Sequence, residues 1–262
     1  IKNFKKIIKD PSYLYKYFYI YKLYHTKRYT RGTSGIFKNK IDFVDSASLV
    51  SMYKEIFDKE VYKFVAGKDD PYIIDCGSNI GLSVLYFKKK YPNAKILAFE
   101  PDVDIFSVLE NNIKNFELNN VELIKKGVWD SCSSLKFFAE GADGGRLLQD
   151  SDNSNIVKIE TVRLKDYLNE KIDFLKIDIE GAENVVLRDC KESLKNVKNI
   201  FVEYHSFIDR KQSLDEILDI LTTSGFRYYI ENAASVINCP FFSDHVYSGM
   251  DLQVNIFGFR DK

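Results

Sequence analysis

The run Asp75-Cys76-Gly77-Ser78-Asn79-Ile80-Gly81 combines glycines with an acidic residue and follows a short apolar segment. Hydrophobic patterning predicts a strand from Tyr72 to Asp75 before this run and a helix from Leu82 to Lys90 after it. Glycines between a strand and a helix let the backbone turn tightly and approach a ligand, and the helix amino end offers free N–H groups. The run therefore predicts a nucleotide-type ligand at the carboxyl end of a strand.

The residue order in this loop argues against a dinucleotide. A dinucleotide-binding loop reads Gly-x-Gly-x-x-Gly, and here Asn79 and Leu82 stand where its second and third glycines belong. Asp75 precedes the loop, where a carboxylate suits the ammonium group of an amino-acid-bearing ligand and repels a pyrophosphate. Glu100 follows the next predicted strand, 19 residues after Gly81, where an acid can accept both ribose hydroxyls. Together these features favour S-adenosylmethionine over NAD.

A second group of charges interrupts an apolar segment from Phe174 to Glu180. Lys176, Asp178 and Glu180 alternate with apolar residues, so a strand would place the three charges on one face. A central parallel strand is normally apolar throughout, and burying charges without use is expensive. We interpret them as part of a catalytic cleft, with a structural ion-pair cluster around Lys176 as the alternative.

The next predicted strand ends with Glu203 and His205, which also alternate onto one face. If strand order follows chain order, these residues lie beside the charged strand. His205 is the preferred general base, because an imidazole titrates near neutral pH. Asp178 is the alternative base and also a candidate donor ligand, and Lys176 and Glu180 are predicted to belong to the same catalytic group.

The same side chains have the chemistry of a divalent-metal site. Carboxylate oxygens with one imidazole suit Mg²⁺ or Mn²⁺, but the spacing does not require a metal. The main expectation is therefore no metal. If one binds, its predicted ligands are Asp178, Glu180, Glu203 and His205, with Glu183 as a further acidic neighbour.

Three motifs together resemble the FkbM family of methyltransferases. They are Asp75 to Gly81, Phe99-Glu100-Pro101, and the more specific Lys176-Ile177-Asp178-Ile179-Glu180-Gly181-Ala182-Glu183. The resemblance covers about residues 70 to 207. It implies a class I Rossmann-like α/β fold with seven strands and a final antiparallel hairpin. It also implies methyl transfer from S-adenosylmethionine to a hydroxyl of a sugar, glycan or related molecule.

Methyl transfer from a sulfonium needs a hydroxyl oxygen in line with the methyl group and a base that removes its proton. The resemblance places the adenine after the third strand, near Gly127 and Val128. Trp129, the only tryptophan, is a candidate for stacking on the adenine or the acceptor, or for packing at the rim. The predicted donor-binding residues are Asp75, Gly77, Ser78, Asn79, Gly81, Glu100, Pro101, Gly127, Val128 and Asp178.

Strands and helices alternate from Tyr72 onward, which predicts a mainly parallel sheet covered on both faces. Residues 67–262 are assigned to this methyltransferase domain, and residues 1–66 to a helical amino-terminal extension. The Lys- and Tyr-rich first 40 residues predict one or two helices, and a lead-in helix follows from about 45 to 66. Residues 140–155 are rich in Gly, Asp, Ser and Asn and are predicted to form a mobile loop near the site.

Composition weighs against several classes of protein. Lys plus Arg equals Asp plus Glu at 38 each, so overall charge does not favour a nucleic-acid partner. An Asn-Pro-Pro-Tyr motif for methylating base amines is absent as well. The four widely spaced cysteines predict neither a disulfide framework nor a zinc site and favour a cytoplasmic setting. No apolar run approaches the ~20 residues of a membrane span.

The expected acceptor is a small molecule or glycan, free or linked to a nucleotide or lipid. The Tyr-rich first 40 residues are expected to pack on the domain or on a second subunit of a homodimer. Peripheral contact with the inner membrane surface is the alternative. The alternative functions are an NAD-dependent oxidoreductase and a catalytically idle methyltransferase-fold binding protein.

Overall fold

A mainly parallel sheet flanked by helices carries the candidate site at one edge. The computed structural model describes residues 11–138, 146–147, 156–233, 241 and 249–260. The helices are α1 (Pro11–Tyr24), α2 (Ser46–Tyr53), α3 (Leu82–Lys90), α4 (Val103–Asn115), α5 (Glu183–Cys190) and α6 (Leu214–Thr223). The strands are β1 (Gly32–Phe37), β2 (Asn39–Phe43), β3 (Tyr72–Cys76), β4 (Lys95–Phe99), β5 (Val121–Ile124), β6 (Gly127–Trp129), β7 (Ser134–Phe138), β8 (Arg146–Leu147), β9 (Ile156–Arg163), β10 (Ile172–Ile177), β11 (Val197–Phe207), β12 (Arg227–Asn232) and β13 (Met250–Phe259). Shorter helical turns are the π-helical turn Lys54–Asp58 and the 3₁₀ turns Leu164–Tyr167 and Lys191–Asn196.

The central sheet has seven strands in the order β12-β13-β11-β10-β3-β4-β5. The strands from β11 to β5 are parallel, and β13 is antiparallel to both β11 and β12. Because parallel strands end at the same edge of a sheet, the segments after β3, β4, β10 and β11 meet there. The predicted fold class is confirmed, including the final antiparallel hairpin, and β11 lies beside β10 as chain order suggested.

Each face of this sheet has its own apolar layer. The adjacent residues Ile73 and Ile74 of β3 are both fully buried but belong to different layers. Val186 of α5 packs in the layer of Ile74, whereas Leu49 of α2 packs in the layer of Ile73. Burial on both faces explains why the strands are apolar at nearly every position.

The α2 side of the sheet becomes polar towards the carboxyl ends of the strands. Lys176 comes two residues after Phe174, and Glu203 two after Phe201, so each charge shares a face with a buried aromatic ring. Asn255 of β13 pairs with Glu203 across the sheet. All three polar residues are buried, and they place the site between the sheet edge and the lead-in segment.

The amino-terminal region differs from its prediction in one part. Helix α1 agrees with the expected helix, but residues 32–43 form a β1–β2 hairpin instead of a second helix. Lys38 closes the turn with a φ of 73°. Gly35 lets the hairpin approach α1, since an added Cβ would lie 2.7 Å from the Tyr19 hydroxyl oxygen. Packing against α1 thus decides the conformation of a segment with no clear periodicity.

The lead-in helix predicted from about 45 to 66 begins at Ser46 and ends at Asp58, so the last part of that prediction is wrong. Asp45 caps α2 by accepting a hydrogen bond from the Ser48 N–H at 3.0 Å. Leu49 and Ile56, predicted at helical spacing, are buried. The final turn, Lys54–Asp58, is π-helical, a rare geometry that often occurs at functional sites.

A small second sheet, in the order β6-β9-β7-β8, follows β5 and was not predicted. Apart from strand β8, the expected mobile loop at 140–155 lies outside the described residues, as does Cys239. The other cysteines, Cys76, Cys132 and Cys190, are free thiols. Within the described ranges, no helix combines the length and apolarity needed to cross a membrane.

Candidate active site

The glycine loop joins β3 to α3 and packs against the segment that follows β10. Gly77 and Gly81 have φ angles of 84° and 90°, where a side chain would be strained. The N–H groups of Gly77 and Ser78 donate to the Phe99 carbonyl oxygen at 3.1 and 2.9 Å. A Cβ on Gly77 would lie only 1.9 Å from the carbonyl oxygen of Asp178. The predicted donor loop and the predicted catalytic segment are therefore in direct contact.

Asp75 is completely buried at the base of this loop. It accepts a hydrogen bond from Ser83 Oγ at 2.5 Å, and its Oδ1 lies 3.4 Å from Lys176 Nζ. Among the described residues, Oδ1 has no hydrogen-bond partner. Since buried polar atoms are nearly always paired, this oxygen is suited to an ammonium group or water brought by a ligand.

Ser78 and Asn79 use polar groups to shape the loop itself. Ser78 Oγ donates to the Asp75 carbonyl oxygen at 3.0 Å, and Asn79 Oδ1 accepts from the Ile80 N–H at 2.7 Å. Asn79 has a φ of 48°, a conformation that asparagine tolerates better than most residues. Direct contact of Ser78 and Asn79 with a donor stays a prediction.

Glu100 is buried at the end of β4 and binds two backbone N–H groups. Its Oε2 accepts from Asn79 at 3.0 Å and its Oε1 from Asp102 at 2.9 Å. Burial raises the pKa of Glu100 to about 7, although these two hydrogen bonds oppose the shift. A carboxylate has further lone pairs, so Glu100 retains acceptor capacity for ribose hydroxyls.

The remaining predicted donor residues adjoin Glu100. A Cβ on Gly127 would lie 3.7 Å from the Cβ of Pro101, and Val128 is buried beside them on β6. The structure thus brings the predicted ribose-binding and adenine-binding residues to one end of the sheet.

Lys176 links the two halves of the site. Its Nζ donates to the Gly77 carbonyl oxygen at 2.8 Å and lies 3.0 Å from Asp178 Oδ2. Burial opposes its charge, but the carboxylates of Asp178 and Asp75 outweigh burial and raise the pKa of Lys176. Lys176 therefore holds the loop and Asp178 together as a cation, which is a positioning role.

The prediction that Lys176, Asp178 and Glu180 share one strand face is wrong in part. Strand β10 ends at Ile177, and Glu180 has a φ of 54°, so both carboxylates follow the strand. Asp178 pairs with Lys176, whereas Glu180 Oε2 lies 3.5 Å from His205 Nε2. The turn separates the charges into two groups.

His205 is surrounded by carboxylates. Its Nδ1 lies 3.1 Å from Glu183 Oε1, and its Nε2 lies 3.5 and 3.8 Å from Glu180 and Glu203. Burial alone would lower the pKa of His205, but Glu180 and Glu183 outweigh burial and raise it well above the usual value. The surrounding carboxylates therefore favour the protonated ring, which opposes a role as base, so the choice between His205 and Asp178 stays a prediction.

Asp178, Glu203 and His205 each bring one ligand atom within 4.8 Å of the others. Asp178 is the accessible member, with 23% of its side chain exposed against 1% for His205. Burial and the charge of Asp178 raise the pKa of Glu203 well above its usual value. Three of the four predicted metal ligands thus meet, and Glu180 lies farther out, against His205.

Two residues that the sequence analysis missed complete this cluster. Glu55, in the π-helical turn, accepts a hydrogen bond from Asn255 Nδ2 at 2.8 Å, across 200 residues of sequence. Burial raises the pKa of Glu55, an effect that the Asn255 hydrogen bond opposes and the Asp178 charge reinforces. No local pattern marks this contact, because it depends on how the lead-in segment crosses the sheet.

Two further neighbours were also missed. Tyr62 is buried, and its pKa is raised well above the usual value by burial and by the charges of Asp178 and Glu55. Gln253 Nε2 donates to Glu203 Oε1 at 2.5 Å. Gln253 thus forms a hydrogen bond to the cluster, and Tyr62 encloses the cluster on the side of the lead-in segment.

A cavity of about 300 Å³ opens beside His205. It is lined by Trp129, Glu183 and Arg210, among others, and its volume is at the small end of ligand sites. Trp129 thus lines a cavity that also contacts His205 and Glu183, and its predicted stacking and packing roles stay open.

Comparisons with known proteins agree with this geometry. The Methyltransferase FkbM domain matches residues 75–228. Methyltransferase 1 of Beauveria bassiana is 30% identical over 207 residues, which cover 69% of this chain and 82% of that protein. The 2-O-methyltransferase NoeI of Sinorhizobium fredii is 27% identical over 59% of this chain and 72% of its own length.

A crystal structure of an FkbM methyltransferase from Methylobacillus flagellatus shares the fold, with a TM-score of 0.50 and 14% identity. The match covers 75% of this chain but 45% of that one, so the longer protein contains regions without a counterpart here. The domain match includes the glycine loop, Glu100 and the segment from Lys176 to Glu183. The chain belongs to the FkbM methyltransferase family and is a methyltransferase.

Proposed function

We propose that this protein is an S-adenosylmethionine-dependent O-methyltransferase acting on a hydroxyl of a sugar, glycan or related small molecule. The observation that carries the proposal is the contact between the glycine loop and Asp178, which puts a donor site next to an accessible carboxylate. The relative NoeI, named as a 2-O-methyltransferase, supports transfer to oxygen.

The donor side of the site fits S-adenosylmethionine, which supplies an activated methyl group when bound. Glu100 has acceptor capacity for the ribose hydroxyls. Asp75 Oδ1 lies 3.4 Å from Lys176 Nζ but accepts no hydrogen bond among the described residues, so it is suited to the amino group directly or through water. Gly127 and Val128 would lie against the adenine.

Asp178 is the proposed base. It is more exposed than His205, and the raised pKa of His205 favours the protonated ring, which is a poor proton acceptor. His205 instead offsets the charge of Glu180 and Glu183, so we assign it a positioning and electrostatic role. Lys176 holds Asp178 beside the donor loop.

The proposed reaction needs no metal. A divalent ion at Asp178, Glu203 and His205 would need a deprotonated ring nitrogen, whereas the nearby carboxylates favour the protonated form of His205. Transfer should therefore continue in the presence of a chelator.

A transfer assay with methyl-labelled donor, over free sugars, nucleotide-sugars and lipid-linked glycans, tests the proposal with and without chelator. We expect label on an acceptor oxygen, and a rise in melting temperature with S-adenosylhomocysteine. Stabilisation by NAD without stabilisation by S-adenosylhomocysteine would overturn the donor assignment. Activity that disappears with chelator and returns with Mg²⁺ or Mn²⁺ would overturn the metal-free mechanism.

A further inference from the structure

Helix α1 presents an apolar and aromatic stripe to solvent. Leu14, Tyr17, Phe18, Tyr21 and Tyr24 have exposed fractions between 50% and 61%. They recur every three or four residues, so they form one helix face. Scattered exposed apolar residues are ordinary, but a contiguous apolar stripe marks an interaction surface.

The opposite face of α1 fixes how the stripe is presented. Leu23 is buried, and Tyr19 and Ile20 pack against the layer on the α2 side of the sheet. Lys16 forms an ion pair with Asp58 and lies 4.9 Å from the centre of the Tyr53 ring. The helix is therefore held to the domain along one side, and the aromatic stripe cannot turn inward without breaking these contacts.

The amino-terminal sequence that contains the stripe is rich in basic residues. Residues 1–31 contain nine Lys and Arg and one acidic residue, although the whole chain balances 38 with 38. Lys22 and Lys27 are exposed in and directly after α1. The rest of the chain consequently carries eight more acidic than basic residues, so the net positive charge lies in the amino-terminal segment.

We propose that the exposed face of α1 binds the surface of a bilayer that contains anionic phospholipids. Tyr and Phe side chains are favourable at the headgroup level, and flanking lysines are attracted to anionic headgroups. A second copy is disfavoured as the occupant, because two stripes with the same excess of positive charge would repel each other. Binding would place the enzyme at a membrane surface.

Co-sedimentation of the full chain with vesicles tests this proposal, using phosphatidylcholine alone and phosphatidylcholine mixed with phosphatidylglycerol. We expect binding to the mixed vesicles and its loss at high salt, because salt screens the lysines. The double variant Phe18→Ser/Tyr21→Ser should bind at least about tenfold more weakly, since it removes two aromatic anchors. Tyr229→Ser is the matched control, because Tyr229 is 62% exposed on β12, away from α1, and should bind like the parent.

A second variant, Lys22→Glu/Lys27→Glu, changes only exposed side chains. It keeps the proposal testable if the aromatic substitutions disturb folding. It should lose binding while S-adenosylhomocysteine still raises its melting temperature. Equal binding of both lysine-reversed and parent proteins, or equal binding to neutral and anionic vesicles, would overturn the proposal. A dimer in light scattering that dissociates in the aromatic double variant would also overturn it, in favour of a second copy.

Discussion

The proposed donor half and the proposed acceptor half of the site are built in different ways. The donor half lies within residues 75–128 and consists largely of backbone shaped by glycines, with Glu100 at the end of the next strand. The acceptor half gathers Glu55, Asp178, Glu203 and Asn255 from four separate elements. A shared donor can be bound by a local motif, whereas a cluster assembled from distant elements can change with the acceptor.

The two halves also differ in electrostatics. In the donor half, one buried carboxylate is satisfied by backbone N–H groups, and its pKa rises to about 7. In the acceptor half, several carboxylates surround His205 and raise its pKa, so the charge of the ring depends on these neighbours. The predictions below separate the halves by asking which measurement each substitution changes.

Gly77→Ala should have the largest effect. Its Cβ would overlap the Asp178 carbonyl oxygen, and its φ is unfavourable for alanine. We expect the free energy of unfolding to fall by more than about 3 kcal/mol in a urea titration. Gly249→Ala is the control, because Gly249 also has a positive φ but no atom within 4 Å of an added Cβ, and it should lose about 1 kcal/mol. Similar losses in both variants would show that the loop does not abut Asp178.

Asp178→Asn should lower kcat about 10²- to 10⁴-fold, because it removes the proposed base. Isothermal titration should show nearly unchanged affinity for S-adenosylhomocysteine. The control is Asp173→Asn at the opposite end of β10, where Asp173 binds the Tyr72 N–H. Normal turnover in Asp178→Asn, with activity lost in His205→Gln, would return the base to His205.

Glu100→Gln should flatten the pH dependence of stability. The folded-state pKa of Glu100 lies above its unfolded value of 4.5, so the native state holds its proton longer than the unfolded state. Its contribution to stability is thus lost as pH rises from 4.5 to about 7, by about 3 kcal/mol. Urea titrations across this range should show a smaller decline for Glu100→Gln than for the parent, while Glu110→Gln, on the exposed side of α4, should decline like the parent. Parallel curves for Glu100→Gln and the parent would contradict a raised pKa.

Glu55→Gln should have the smallest effect, and only the kinetics with the acceptor should change. Losing one charged hydrogen-bonding group predicts about a tenfold lower kcat/KM for the acceptor, or about 1.4 kcal/mol. Affinity for S-adenosylhomocysteine should stay the same. Glu60→Gln, in the same lead-in segment but paired with Lys63 and Lys90, should leave both quantities unchanged. A weaker donor affinity in Glu55→Gln would place Glu55 in the donor half instead.

Much of the fold could be predicted because its signals are local. Helix α3 has the predicted limits, Leu82–Lys90, since strand–turn–helix patterns depend on neighbouring residues. The β1–β2 hairpin could not be predicted, because packing of Gly35 against Tyr19 overrides weak local preferences. The small second sheet was also missed, and two of its strands, β6 and β8, have only three and two residues.

The sequence by itself determined the alternation of strands and helices, the glycine loop, Glu100 and the family. These depend on residue type and spacing within short segments, where backbone geometry is decided. Only the tertiary structure decided that Glu55 meets Asn255 and that His205 lies among carboxylates. A pKa depends on burial and on charges within a few ångströms, and the sequence does not specify those distances until the chain has folded.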